Sequence, residues 1–358
     1  MLPGMNEIVV PGVDQVRRFI IENRPVRGHW VRLEAAWREV RAHREYPEVV
    51  RELLGQAVAA SVLLAATLKF RGTLTLQLQG NGAVSLLVAQ CTHDFRLRAV
   101  AQFDEARVGE ITRPCRAASI ARTARLPSDQ GSASRPLPCT AGGAPLRALS
   151  GIPGSPRDVR LFRQLVGTDG RIAVTVEAEE RSMRYQGVVP LSGASLAESL
   201  EAYFASSEQL PTRVLLAADG ERGAGMLVQK VPGRAADDET DLQEIWEDTQ
   251  RGIESLSSAE LLECPVEQLL NRGFAAHDLR LFRGSPVQFE CRCNQGRVNS
   301  LLRALGAEEV RDVLREQGAV TVTCEFCHRP YRFDAAAVAA LFEESPGSAP
   351  ADDSHTVH

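Results

Sequence analysis

The sequence predicts an α+β protein: an N-terminal antiparallel sheet carrying helices, a helical linker and a small C-terminal cysteine-bearing domain. Three observations lead there. Several short segments between residues 73 and 231 alternate apolar and polar with a period of two and are joined by short turns, while others keep helical spacing. A polar, acidic break from Pro232 to Asp241 is followed by an amphipathic pattern. Two close cysteine pairs then stand 30 residues apart near the C-terminus.

Taken in order, Asp14 can cap a first helix with Val16, Phe19 and Ile20 on one face. Pro47 opens a long helix in which Val49, Val50, Leu53, Leu54, Ala57 and Val58 recur at helical spacing. From Thr73 the period is two; a Gly80-Asn81-Gly82 turn follows, and Ala83 to Ala89 reads as the returning strand. Phe95 to Phe103, Ile172 to Val176, Tyr185 to Val189, Val214 to Ala218 and Met226 to Val231 are further strands, and Ser195 with Glu198 forms a capping box ahead of Leu196, Leu200 and Phe204. Residues 112–156 interrupt this domain (1–232): they are rich in Pro, Gly, Ser and Ala, carry six arginines against one aspartate, and read as a disordered insertion. In the linker, 233–286, Leu242, Trp246, Thr249, Ile253 and Leu256 form one stripe, and Ser257 with Glu260 caps a helix bearing Leu261, Leu262, Leu269 and Leu270. In the last domain, 287–342, Glu308 to Gln317 reads as a helix ended by Gly318 and Val320 to Thr323 as a strand, before a disordered polar tail, 343–358.

With 358 residues, 44% of them hydrophobic, the chain can build one substantial core and a smaller module. No basic region followed by an apolar run opens the sequence, and the longest near-apolar run, Ala57 to Leu68, is too short to span a bilayer; the expectation is a cytoplasmic protein without a membrane partner. In that reducing compartment eight cysteines point to metal or redox chemistry rather than permanent disulfides. Residues 233–358 carry 23 acidic and 12 basic side chains, a balance that repels phosphate backbones and argues against a nucleic-acid partner. The 39 arginines against two lysines read as a coding bias, so no arginine is assigned a site role.

Cys291, Cys293, Cys324 and Cys327 match a tetrahedral Zn²⁺ site, and a module of about 55 residues whose aromatics are Phe289, Phe326, Tyr331, Phe333 and Phe342 needs such a staple. One reading is a permanent structural zinc module. The other is a switch: zinc keeps the sulfurs as thiolates, the form oxidants attack, and each close pair can collapse to a disulfide and unfold the module. The run Cys324-Glu-Phe-Cys327-His328 also fits a haem attachment pattern, which would leave the first pair unexplained; His328 is at most an alternative zinc ligand. Cys91, Cys115, Cys139 and Cys264 lack paired spacing, and His93 beside Asp94 is a dyad only on paper. No nucleotide-binding loop, nucleophile elbow or H-E-x-x-H is present, so no enzyme is expected and no catalytic residue assigned.

The stretches Asn23 to Arg32, Ala65 to Gly82, Tyr185 to Pro190, Ser195 to Thr212 and Ala224 to Pro232, followed by the two cysteine pairs, resemble the heat-shock protein 33 family, the redox-regulated 33-kDa chaperonins. The resemblance spans nearly everything except residues 112–156 and the termini. It implies an ATP-independent holdase that binds unfolding client proteins under oxidative stress, with one Zn²⁺ per chain held by Cys291, Cys293, Cys324 and Cys327 when reduced. On oxidation it implies zinc loss, disulfides Cys291–Cys293 and Cys324–Cys327, and passage from monomer to homodimer. The segment from Leu242 to Leu270 would pack on the N-terminal domain in the reduced state and expose apolar surface when oxidised. The departure from the family is the insertion, since Glu110-Ile111 and the run from Asp158 to Gly167 should be nearly contiguous. The competing reading is a constitutive zinc-ribbon protein acting as a binding or scaffolding module. A disulfide-exchanging enzyme is a third, and lacks a C-x-x-C at a helix start.

Overall fold

A computed structural model describes residues 14–112, 156–178, 184–232 and 239–343; the expected insertion, except for its first and last residues, and the tail beyond Glu343 lie outside these. The chain is mixed α+β and divides into two units, Met1–Glu290 and Cys291–His358.

Asp14 does not cap a helix that follows it. Residues Gln15–Ile21 form strand β1, paired antiparallel with β2 (Val26–Leu33). The helix-like spacing misleads because both faces of this sheet are covered, which puts apolar residues at both parities. Asp14 instead caps α1 (Ala35–Ala42) from outside: its Oδ1 accepts from the amides of Glu34 and Ala35, and its Oδ2 from Ala36. Pro47 opens α2 (Glu48–Thr67) as expected. This helix is apolar all round because it is buried between two sheets; it is long and apolar enough to cross a membrane, yet 78% of its apolar window is buried inside the protein.

The Gly80–Gly82 turn joins β3 (Gly72–Gln79) to β4 (Val84–Thr92), and β5 (Arg96–Phe103) follows. The helices α3 (Glu105–Thr112) and α4 (Pro156–Val166) touch each other. Then come β6 (Arg171–Ala178), β7 (Arg184–Pro190), α5 (Leu196–Tyr203) continued by a π-turn, β8 (Thr212–Ala218) and β9 (Gly223–Lys230). Ser195 caps α5 by accepting from the Glu198 amide, while the Glu198 carboxylate reaches one residue further back, to the Ala194 amide.

Residues 233–286 are not only helical. The helices α6 (Glu239–Glu254), α7 (Ser258–Glu263) and α8 (Val266–Gly273) are followed by short strands β10 (Leu279–Leu281) and β11 (Ser285–Pro286) on β1, and β12 (Gln288–Phe289) on β5. One sheet thus runs β10-β1-β2-β9-β8, with β11 beside β10 on β1; the other runs β12-β5-β4-β3-β6-β7. Val214 and Leu216 face α2, whereas Leu215, Ala217, Met226 and Val228 share a core with Leu261, Leu262, Leu269 and Leu270 of the linker helices. Trp246 packs on Ile21 and Val26. Arg17 ties α8 down through Glu267 at 2.6 Å, and Arg32 donates to the carbonyls of Glu263 and Cys264 at the end of α7. Phe289, counted from sequence with the C-terminal module, belongs instead to the core of the first unit. Its apolar neighbour Val287 is buried there too, so the chain leaves this unit only at Glu290.

Candidate metal centre

The second unit is built around a hairpin and three helices. Asn294 caps α9 (Gln295–Leu305) by accepting from the Arg297 amide; Gly306, at φ 98°, turns the chain into α10 (Ala307–Gln317), and Gly318, at φ 73°, ends it in the left-handed conformation glycine allows. The hairpin pairs β13 (Val320–Thr323) with β14 (Pro330–Phe333), and α11 (Ala335–Glu343) closes the unit. Val298, Leu302, Val310, Val320, Tyr331, Phe333, Val338 and Leu341 make its core, with Cys293 and Cys324 packed against them.

Cys324 and Cys327 occupy the hairpin turn, where the Cys324 amide donates to the Arg329 carbonyl at 3.0 Å and the His328 amide to the Cys324 carbonyl at 2.8 Å. His328 takes φ 51°, the bend that lets the chain double back. Cys291 and Cys293 precede α9. Sγ of Cys291 lies 3.6 Å from that of Cys324, Sγ of Cys293 lies 3.3 Å from that of Cys327, and all four sulfurs fall within 4.8 Å of one another. In a tetrahedral four-thiolate zinc site, with Zn–S about 2.3 Å, sulfurs stand about 3.8 Å apart, so the set fits that ion in both donor type and spacing. All four thiols are half-buried and free. His328 is not part of the cluster, and because both pairs converge, haem attachment at Cys324 and Cys327 alone does not describe the site.

The thiols titrate as a group. Burial pushes Cys291 up. Burial also opposes ionisation of Cys293, but the Tyr331 hydroxyl, near it though without a hydrogen bond of normal geometry, and the other three thiols favour its thiolate and bring it down to about 7. Cys327 is pushed up to about 12, by burial first and then by its hydrogen bonds to the other sulfurs. One thiolate therefore forms readily and the next resists, until a cation compensates the charge. Tyr331 was not singled out from sequence; the apolar-polar-apolar alternation of Tyr331, Arg332 and Phe333 beside the second pair is the signal that marks it as inward-facing on a strand.

Among the described residues, the lone thiols do not join the site. Cys91 is fully buried and Cys264 lies in the core beneath the linker helices, while Cys115 and Cys139 fall outside the described residues. The His93–Asp94 dyad does not form: His93 Nδ1 accepts from the Gly72 amide at 3.2 Å, and Asp94 accepts from the Thr92 hydroxyl, which holds its carboxyl below the usual range.

A family model described as Hsp33 protein matches residues 14–334. A 33 kDa chaperonin of Nitrosococcus oceani is 37% identical over 331 residues, covering 92% of this chain and 95% of its own, and one from Neisseria gonorrhoeae is 34% identical over 354 residues, covering 99% and 100%. Among solved structures, the 33 kDa chaperonin (heat shock protein 33 homolog) of Thermotoga maritima superposes with a TM-score of 0.67 at 21% identity, over 92% of this chain and 98% of that one, a likeness of fold.

Proposed function

The chain belongs to the Hsp33 family, and from that premise we propose that it is an ATP-independent holding chaperone of the cytoplasm, inactive while Cys291, Cys293, Cys324 and Cys327 are reduced and switched on by their oxidation. The observation that carries the redox part is the convergence of four half-buried sulfurs within 4.8 Å in a unit whose core, among the described residues, is a cluster of eight buried side chains. A bound Zn²⁺ would keep all four sulfurs as thiolates at neutral pH and fasten the hairpin turn to the segment before α9.

Oxidation acts on the chain's own sulfurs. A thiolate attacks a peroxide oxygen, the O–O bond breaks and hydroxide leaves, giving a sulfenic acid. Its neighbour's thiolate then displaces hydroxide from that sulfur, and both hydroxides take protons from solvent to become water. Each pair gives up two electrons and forms one sulfur–sulfur bond. The pairing implied by the family is Cys291–Cys293 and Cys324–Cys327, although sulfur contacts of 3.6 and 3.3 Å here run between the pairs. Disulfide mapping after peroxide is expected to find the two local bonds; Cys291–Cys324 and Cys293–Cys327 bonds would overturn that pairing. With the thiolates gone the second unit loses its staple and unfolds, and, as the family resemblance implies, the linker helices then lift and expose the Leu215, Met226 and Trp30 face beneath them. Unfolding clients bind that surface, and the oxidised chain associates as a homodimer.

The deciding experiment compares oxidised and reduced protein, at equal concentration and without ATP, in suppressing aggregation of a heat-unfolding client, with zinc and free thiols measured in parallel. Suppression by the oxidised form alone is expected. Equal suppression by both would favour a constitutive zinc module over a switch, and none by either would remove the chaperone reading.

A further inference from the structure

We propose that the edge of β5 covered by β12 is a strand-accepting site for an extended apolar segment of a client polypeptide, held in the reduced state by the protein's own residues 287–289. The proposal rests on the chaperone reading above and adds, beside the apolar face beneath the linker helices, a second place where a client is held. Among the described residues β12 is the only parallel partner in its sheet, and it pairs over two residues: Gln288 with Arg96 and Phe289 with Leu97. The Gln288 amide donates to the Phe95 carbonyl at 3.1 Å and the Glu290 amide to the Leu97 carbonyl at 2.9 Å. Val287 and Phe289 point inward, Val287 only 3% exposed in the main core and Phe289 with its ring 5.3 Å from that of His43. Gln288 and Glu290 point outward, to Arg96 at 2.6 and 3.4 Å.

An extended segment with apolar residues at alternate positions, bound through main-chain hydrogen bonds and one aromatic socket, is what any unfolding chain can supply, since only the side-chain pattern is selected. The accepting stretch is bounded. Further along β5 the Ala101 carbonyl accepts from Arg44 and the Ala101 amide faces the Tyr46 hydroxyl, so side chains close the edge beyond the reach of β12. A strap of two paired residues makes few main-chain bonds and is readily displaced by a longer strand. Glu290 is followed at once by Cys291, so unfolding of the second unit frees the C-terminal end of this strap. The opening of the β5 edge is thereby tied to the oxidation of the cysteines.

The test uses oxidised full-length protein, a heat-unfolding client, and a synthetic peptide of residues 285–290 (SPVQFE) beside the same peptide with Phe289→Ala. The wild-type peptide is expected to reduce client suppression severalfold and the substituted peptide to have no effect. Amide exchange should show the Gln288 and Glu290 amides protected in the reduced protein and open after oxidation, and the Phe95–Ala99 stretch protected again when the client is bound. In the reduced, zinc-loaded chain Phe289→Ala should raise holding activity with the free-thiol count unchanged. Undiminished suppression with the wild-type peptide, and client bound with the Phe95–Ala99 amides open, would overturn the strand site while leaving the chaperone reading intact. Absence of suppression by the oxidised protein alone would overturn both.

Discussion

The Asp14 carboxylate accepts from three amides at the start of α1, so Asp14→Ala leaves those donors unpaired in a region where Asp14 itself is 6% exposed. A loss of about 1–3 kcal/mol is expected, read as a lower denaturant midpoint with zinc content unchanged; an unmoved midpoint would show the cap is dispensable. At the cysteines, the proposed metal site uses four residues among eight. Replacing Cys115 and Cys139 by serine, and the buried Cys91 and Cys264 by alanine so that no hydroxyl is stranded in the core, should leave one zinc per chain by elemental analysis. Loss of the metal in that variant would refute the assignment. Metal uptake also has a definite pH sign. Cys327, near 12 without the ion, is protonated at neutral pH, so binding must expel protons and affinity must rise with pH; calorimetry in buffers of different ionisation enthalpy should register that release, and its absence would mean the thiols are already ionised.

The linker helices are held by contacts that tolerate little added volume. Gly252 of α6 lies against Gly273 at the end of α8, where a Cβ on Gly252 would come 2.1 Å from the Gly273 carbonyl oxygen. Gly252→Ala must part the two helices, at about 1–3 kcal/mol of overpacking cost. The expected result is faster amide exchange and protease cleavage across residues 239–274, with β3 to β6 still protected and zinc retained; unchanged exchange in the linker would show that the crossing can relax. Arg17 and Arg32 act in the same layer, reaching from β1 and β2 to Glu267 and to the end of α7. Neither stood out in a chain with 39 arginines, because their role depends on which strand lies beneath which helix.

At the scale of the molecule, α3 ends at Thr112 and α4 begins at Pro156, and the two helices touch. The intervening residues can therefore be replaced by a short flexible linker without moving core elements, since closing a shorter loop costs less chain entropy. The deleted protein should melt cooperatively, bind one zinc and switch on oxidation. Insolubility or a broad transition would show that the segment carries structure the core requires.

Local patterns in the sequence were sufficient for α2, the β3–β4 hairpin, the Ser257 cap, the α10 stop at Gly318 and the four cysteines whose sulfurs converge, because each depends on spacings of a few residues. Only the tertiary structure decided that residues 15–21 are a strand, that Asp14 caps a helix 20 residues downstream, and that residues 279–289 add strands to two sheets. Those outcomes rest on pairing between segments up to some 270 residues apart and on burial of both faces of one sheet, which erases the period-two signal a single covered face would leave.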